Sequence, residues 1–260
     1  MISFKEKYGP WALVTGASAG IGAEFARQLS NHGLNLILLA RRKDRLDALA
    51  NELQAKHNVE VKTLAVDLAQ RDFMSAIQPA IQNLEIGLLV NNAGFGIVGS
   101  FLQSDLAREL EMLDVNCRAP IMLTHELGKT MVKRKKGGII IVSSTASFLP
   151  IPYMTHYAAT KAFDLSLGEG LWYELKEHGV DVLALCPGGT STEFHQVAGL
   201  KEVMAMSAET VVRQALKGLG KKASLVNGWQ NRLKVFLVRL NLRWINASVA
   251  GNVLKRLKKL

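Results

Sequence analysis

Seven short runs rich in Val, Ile, Leu and Thr, at 11–15, 35–40, 61–66, 86–90, 138–143, 181–186 and 223–226, alternate with stretches of helical periodicity along the 260 residues. Strands joined through helices run parallel, and right-handed crossovers then place helices on both faces of one sheet. The alternation therefore predicts an α/β chain built on a doubly wound parallel sheet of about seven strands, with its longest helices near 104–133 and 155–178. No Pro- or Ser-rich linker, internal repeat or low-complexity tract offers a place to divide it. Residues 1–228 are expected to form one domain, with 229–260 as a helical extension packed on it. In such sheets ligands collect at the carboxyl ends of the strands.

The motifs that carry chemistry fall at those ends. The run Trp11–Thr15 leads straight into Gly16-Ala17-Ser18-Ala19-Gly20-Ile21-Gly22, and Ala23 to Asn31 reads as a helix. Strand, glycine turn and helix start form a cradle in which backbone N–H groups and the helix dipole hold a pyrophosphate. The G-x-x-x-G-x-G spacing differs from the commoner dinucleotide fingerprint, and a tight turn without a ligand is the plain alternative. The second strand ends in Ala40-Arg41-Arg42. A site selective for NAD needs an acid there to accept from the adenosine ribose, whereas an added phosphate needs guanidinium forks. Two arginines and no acid point to NADP(H), with Arg41 as the first clamp and Arg42 as a second candidate. A solvated helix start is the alternative, although cations at a helix N-terminus oppose its dipole.

Tyr157 and Lys161 stand four apart on the second long helix, so phenol and ammonium share one face. The cation favours the phenolate. A phenol ionises near pH ~10 while acid–base catalysis favours values nearer neutrality, so a downward shift of roughly 3 units, about 4 kcal/mol, is expected from the lysine and its surroundings. A Tyr and a Lys at this spacing occur by chance on many helices. Here Ser144 lies thirteen residues upstream, after the fifth strand.

The glycine spacing, Asn91-Asn92-Ala93-Gly94 after the fourth strand, Ser144 after the fifth and the Tyr157/Lys161 pair come in an order and at separations that resemble the short-chain dehydrogenase/reductase family, from roughly Pro10 to Thr192. The resemblance implies a Rossmann-type fold and an NADP(H)-dependent oxidoreductase. It implies that Tyr157 gives a proton to the substrate oxygen, that Ser144 rather than Ser143 donates to the same oxygen, and that Lys161 binds the nicotinamide ribose. Asn116 would hold a water linking Lys161 to solvent, with a helix-interior structural amide as the alternative. Gly16, Ser18, Gly20, Ile21 and Gly22 would contact the cofactor. Asp67 would meet the adenine amide, cap the following helix, or both. Asn92 and Ala93 would border the cofactor, Asn92 chiefly by steadying the central strand, and Gly94 would let the cofactor pass close to the backbone. Pro187, Gly188, Thr190 and Thr192 would form the turn that meets the nicotinamide carboxamide.

Substrate choice rests on less diagnostic residues. Phe148–Met154 and Phe194–Met206 are apolar and Met-bearing, which suits a lipophilic carbonyl or acyl thioester better than a sugar. His156 and His195 are not needed beside a complete Ser-Tyr-Lys set. Cys117 and Cys186 have no metal or disulfide spacing and read as buried thiols of a reducing compartment. No run is apolar enough to span a bilayer and no signal peptide opens the chain, which predicts a cytoplasmic protein.

Charge is uneven. The chain carries a net +10, yet after Glu209 there is no acidic residue and there are twelve basic ones. Leu233, Phe236, Leu237, Leu240 and Trp244 recur there at helical spacing beside arginines, a basic amphipathic pattern. It fits peripheral docking on an anionic membrane, attraction of an acidic substrate, or a core-facing helix with a solvated back. No nucleic-acid-reading arrangement is present. Tyr8–Gly16, Leu84–Asn92 and Phe148–Pro152 resemble the branch of very-long-chain 3-oxoacyl-CoA reductases and hydroxysteroid dehydrogenases, whose membrane segments ahead of the fold are not found here. The expected activity is NADPH-dependent reduction of a lipophilic ketone or 3-oxoacyl group, with alcohol oxidation or a non-catalytic NADP-binding role as alternatives. The resemblance also implies a homodimer or homotetramer.

Overall fold

The computed structural model describes residues 2–190 and 206–258. The strands are β1 (Trp11–Thr15), β2 (Asn35–Ala40), β3 (Val61–Ala65), β4 (Ile86–Asn91), β5 (Gly137–Val142), β6 (Val180–Cys186) and β7 (Ser224–Val226). They form one parallel sheet in the order β3-β2-β1-β4-β5-β6-β7. The order reverses between β1 and β4, which opens a crevice above their carboxyl ends.

The helices are α1 (Phe4–Tyr8), α2 (Gly20–Asn31), α3 (Lys43–Lys56), α4 (Phe73–Ile81), α5 (Leu106–Leu113), α6 (Ala119–Arg134), α7 (Thr155–Lys176), α8 (Ala208–Gly218), α9 (Trp229–Leu240) and α10 (Arg243–Lys258). Alternate strand residues face opposite layers. Ala12, Val14, Leu36 and Leu38 meet Phe25 and Leu29 of α2, Leu46 of α3 and Val211 of α8. Leu13, Ile37, Leu39 and Ile139 meet Phe73 and Ile77 of α4, and Leu123 and Met131 of α6. Each such buried Leu, Ile or Phe contributes about 1.5–3 kcal/mol, so the two layers clamp the sheet. One irregularity lies beside the switch point: Trp11 pairs with Ile86 but Ala12 pairs with Leu88. The extra residue is Gly87, where a Cβ would lie 2.4 Å from the Tyr8 carbonyl oxygen.

Three features differ from expectation. The first long helix is not continuous: α5 and α6 are joined by a π turn over Asp114–Arg118. A short helix, α1, closed by a Ser3/Glu6 capping box, precedes β1, and the Tyr8 hydroxyl donates to Asp181 at 2.6 Å. In the extension, the expected apolar stripe points outward. Val235 is the buried residue of α9, while Leu233, Phe236, Leu237 and Leu240 are at least half exposed and Trp229 and Trp244 about 70% exposed. Extension and main body still share a core, because Leu254 of α10 is buried with Met112, Ala146, Met154 and Tyr157.

Candidate active site

The crevice is a cavity of about 910 Å³ bounded by the carboxyl ends of the strands, the glycine turn and α9. Its floor is fixed by Thr15, a residue outside the sequence-predicted set. The Thr15 hydroxyl donates to the Val90 carbonyl at 3.3 Å and accepts from the backbone N–H groups of Asn92 and Ala93 at 2.9 and 3.0 Å. Asn92 closes the link by donating to the Thr15 and Gly16 carbonyls at 2.9 and 3.3 Å. These bonds lock the ends of β1 and β4 together. Gly16 takes φ +65°, and a Cβ on Gly22 would lie 2.3 Å from the Gly16 carbonyl oxygen. Side chains are excluded at these points by backbone.

The residues present fit a dinucleotide. The first residues of α2, Gly20 and Ile21, border the cavity, and the N-cap Ala19 has no side-chain acceptor to satisfy the helix's first N–H groups. Those donors are available to a pyrophosphate. Arg41 and Arg42 both line the cavity, but they differ. Arg42 reaches the glycine turn, donating to Ser18 Oγ at 3.0–3.2 Å, whereas Arg41 is drawn across to Glu111 at 3.2 Å. Asp67 also borders the cavity, and its carboxylate accepts from Ala69 N–H at 3.0 Å. It caps a turn, since α4 begins only after Asp72.

At the other end, β5 delivers Ser143 and Ser144, and α7 delivers Tyr157 and Lys161. Ser143 Oγ donates to the Lys161 carbonyl at 2.6 Å, which anchors α7 to the strand end. Ser144 caps the turn Thr145–Phe148 by accepting from Ala146 N–H. Lys161 Nζ donates to the Val142 carbonyl and to Asp164, both at 2.9 Å. A Cβ on Gly94 would lie 3.4 Å from that ammonium, so the glycine keeps backbone close to it without a side chain between.

The Tyr157 phenol departs from the sequence expectation. Burial raises it above its ordinary value; the Lys161 ammonium and a hydrogen bond with Ser144 pull down without overcoming this, and Asp164 adds to the rise.

Asn116 sits in the π turn, fully buried, donating to the Phe95 carbonyl and Thr160 Oγ1 at 3.0 Å and accepting from Phe95 N–H at 3.1 Å. Its side chain clamps the β4 loop to α7. Pro187, Gly188 and Thr190 line the cavity, and Thr190 Oγ1 donates to the Gly188 carbonyl at 3.1 Å. Thr192, His195 and the stretch 194–205 of the expected lid lie outside the described residues. His156 does not line this cavity; it borders a separate pocket and pairs with Glu109 at 2.8 Å. Cys117 and Cys186 are buried, and burial pushes each thiol up to about 12.

The roof is what the sequence did not disclose. Asn231, Lys234, Val235, Leu237 and Val238 of α9 line the cavity opposite Phe148, Leu149, Ile151 and Met154. The Arg239 guanidinium stacks over the Phe148 ring at 4.7 Å, and α10 brings Gly251 against Pro152.

Comparison with known proteins agrees with this architecture. Residues 10–202 match the family model described as short chain dehydrogenase. The chain is 34% identical over 264 residues to the human very-long-chain 3-oxoacyl-CoA reductase, covering 96% of this chain and 84% of that protein. It is 32% identical over 238 residues to the 7beta-hydroxysteroid dehydrogenase of Clostridium sardiniense, covering 90% and 91%. A solved 7beta-hydroxysteroid dehydrogenase superposes with a TM-score of 0.90 at 26% identity over 95% of this chain and 99% of that one. A short-chain dehydrogenase from Sphingobium yanoikuyae, solved with NADPH, gives 0.80 at 34% identity over 88% and 92%. Sheet order, glycine turn and family match together make this chain a member of the short-chain dehydrogenase family.

Proposed function

We propose that the chain is an NADPH-dependent reductase that converts a lipophilic ketone or 3-oxoacyl group to the secondary alcohol. The observation that carries the reading is Tyr157, buried and hydrogen-bonded to Ser144 beside Lys161, in a cavity whose far wall is apolar. NADPH would be held by the glycine turn, the start of α2 and Arg42, and when bound it supplies the hydride. As negative charge grows on the substrate oxygen, Tyr157 donates its proton and Ser144 a hydrogen bond. Lys161 keeps its ammonium beside the phenol, and α9 with Phe148–Met154 excludes water and shapes the substrate's apolar body. NADP(H) as cofactor is supported by the family, by the paired arginines, and by the relative solved with NADPH. The 3-oxoacyl and steroid-type ketone classes are supported by the named relatives.

Binding of NADPH and NADH, followed by nicotinamide absorbance with bulky ketones, a steroid ketone and a 3-oxoacyl thioester, tests this. Consumption of NADPH establishes the reductase. Consumption only with alcohols and NADP⁺ would favour the oxidative role, and tight binding without turnover the non-catalytic one.

The extension supports a peripheral partner. Its outward residues, Trp229, Leu233, Phe236, Leu240 and Trp244, are exposed on helices with no acid after Glu209. That combination suits an anionic lipid surface. Among the described residues no helix is long and apolar enough to cross a membrane. Sedimentation with phosphatidylserine vesicles, lost as salt rises and absent with neutral vesicles, is the expected result. Leu106, Leu110, Leu113 and Ile121 form a second exposed apolar face on α5 and α6, which we assign to homo-oligomer contact.

A further inference from the structure

We propose that Asp164 is a positioning residue: its carboxylate anchors the Lys161 ammonium from inside the fold and offsets its charge, so that Tyr157 stays loaded as a neutral proton donor. This rests on the reading of Tyr157 as the donor. Asp164 is 1% exposed, on the inner face of α7 one turn beyond the lysine. Its Oδ2 lies 2.9 Å from Lys161 Nζ, and both side chains are almost wholly buried. Its Oδ1 has no hydrogen-bond partner in the structure. With Oδ1 unpartnered, the carboxylate is committed through Oδ2 to Lys161 alone, and removing it would leave the buried ammonium without its counter-charge. The charge is therefore retained for what it does to its neighbour.

What it does follows from geometry. Val142 and Asp164 take two of the three donors of Lys161, which fixes the ammonium and leaves one to face the cavity. Seen from Tyr157, the lysine is then one end of an ion pair rather than an isolated cation, and its pull toward phenolate is weaker. The surrounding groups add no competing charge of their own. On the π turn, Cys117 is pushed up to about 12 and stays a neutral thiol. Strand β5 contributes the Val142 carbonyl and the hydroxyls of Ser143 and Ser144. On β6, Cys186 is likewise pushed up to about 12; Glu169, one turn and more along α7, is turned to Ser224, and Arg239 lies over Phe148. Arg108 and Lys234 border the wider cavity, Arg108 being paired with Glu111. For Asp164 burial raises the carboxyl and Lys161 offsets this only in part, whereas for Lys161 burial is outweighed by Asp164 and Tyr157, so each partner depends on the other.

The test is the pH dependence of the reductase rate in wild type, Asp164→Asn and Asp164→Glu, with Tyr157→Phe as control. Reduction needs the protonated phenol, so its rate falls as pH rises through the phenol's value. Removing the carboxylate charge exposes Tyr157 to the full field of Lys161, lowers that value and moves the falling limb to lower pH. In the oxidative direction, which needs phenolate, the rising limb moves the same way. Asp164→Glu restores the charge and returns both limbs toward wild type. A folded Asp164→Asn enzyme with unmoved limbs, whatever its stability, overturns the proposal. Should both variants fail to fold by circular dichroism, the wild-type profile decides: a reductive limb at or above pH ~10 supports it, and one near neutrality overturns it. A Tyr157→Phe enzyme of near wild-type rate would instead remove the underlying reading of the donor.

Discussion

The floor and the roof of the cavity are built by different physics. The floor is a lattice of hydrogen bonds that ties strand ends to one another and to α7: Thr15 to Val90, Asn92 and Ala93, Asn92 to Gly16, Ser143 to Lys161. The Thr15–Val90 and Ser143–Lys161 bonds are buried and the others part-buried, so losing one leaves a polar group poorly solvated and the geometry tolerates little change. The roof is α9, held by Val235, the Arg239–Phe148 stack and the packing of α10, while its outer face meets solvent. Apolar contacts of this kind accept substitution by residues of similar volume. A chemistry common to many substrates is thus carried by the rigid half, and selection among them by the adaptable one.

The sharpest way to break this contrast is Tyr157→Phe. If the floor carries the chemistry, kcat falls by about 10²–10⁴-fold while NADPH binding, followed by fluorescence, is retained. Next in size is the arginine pair. Arg42→Ala is expected to weaken NADPH by about 1.5–3 kcal/mol, ten- to a hundredfold in Kd, and to leave NADH nearly unchanged. Arg41→Ala should do less, because Arg41 is already engaged by Glu111; equal losses for both cofactors would return the arginines to the surface. The smallest effect sharpens the role of the roof. Val238→Trp should leave NADPH affinity alone and lower the kcat/KM ratio of bulky to small ketones by about tenfold. A parallel loss for every ketone would mean that α9 is only structural.

Much of the floor was legible because its signals are local. A strand, a glycine turn and a helix start follow one another within twelve residues, and the Tyr157–Lys161 spacing is one helical turn. Thr15 was missed because a Thr ending a strand is ordinary; only the approach of β4 shows that one hydroxyl serves three backbone groups. Asp164 was missed for a related reason, since a Lys and an Asp three apart on a helix look like a surface pair until burial is known. For Tyr157, spacing reports the lysine but not the burial and the counter-charge of Asp164, both of which raise the phenol. On α9 the pattern correctly marked two faces, yet which one turns inward depends on what α9 meets. The outward face carries Trp229, Leu233, Phe236 and Leu240, and the face toward the cavity carries Val235, Leu237 and Val238.

The π turn at Asp114–Arg118 sets the angular phase of two helices. It carries one residue more than an α-helical turn at that point, and each residue advances a helix by about 100°. Were the same residues wound as one continuous α-helix, everything after the turn would swing round the axis by that angle relative to α5. Leu123, Leu127 and Met131, now seated on the sheet, would leave it while Met112 stayed in place. The π turn therefore absorbs a surplus residue, so that one run of chain holds Asn116 against Thr160 and still meets the sheet beyond it.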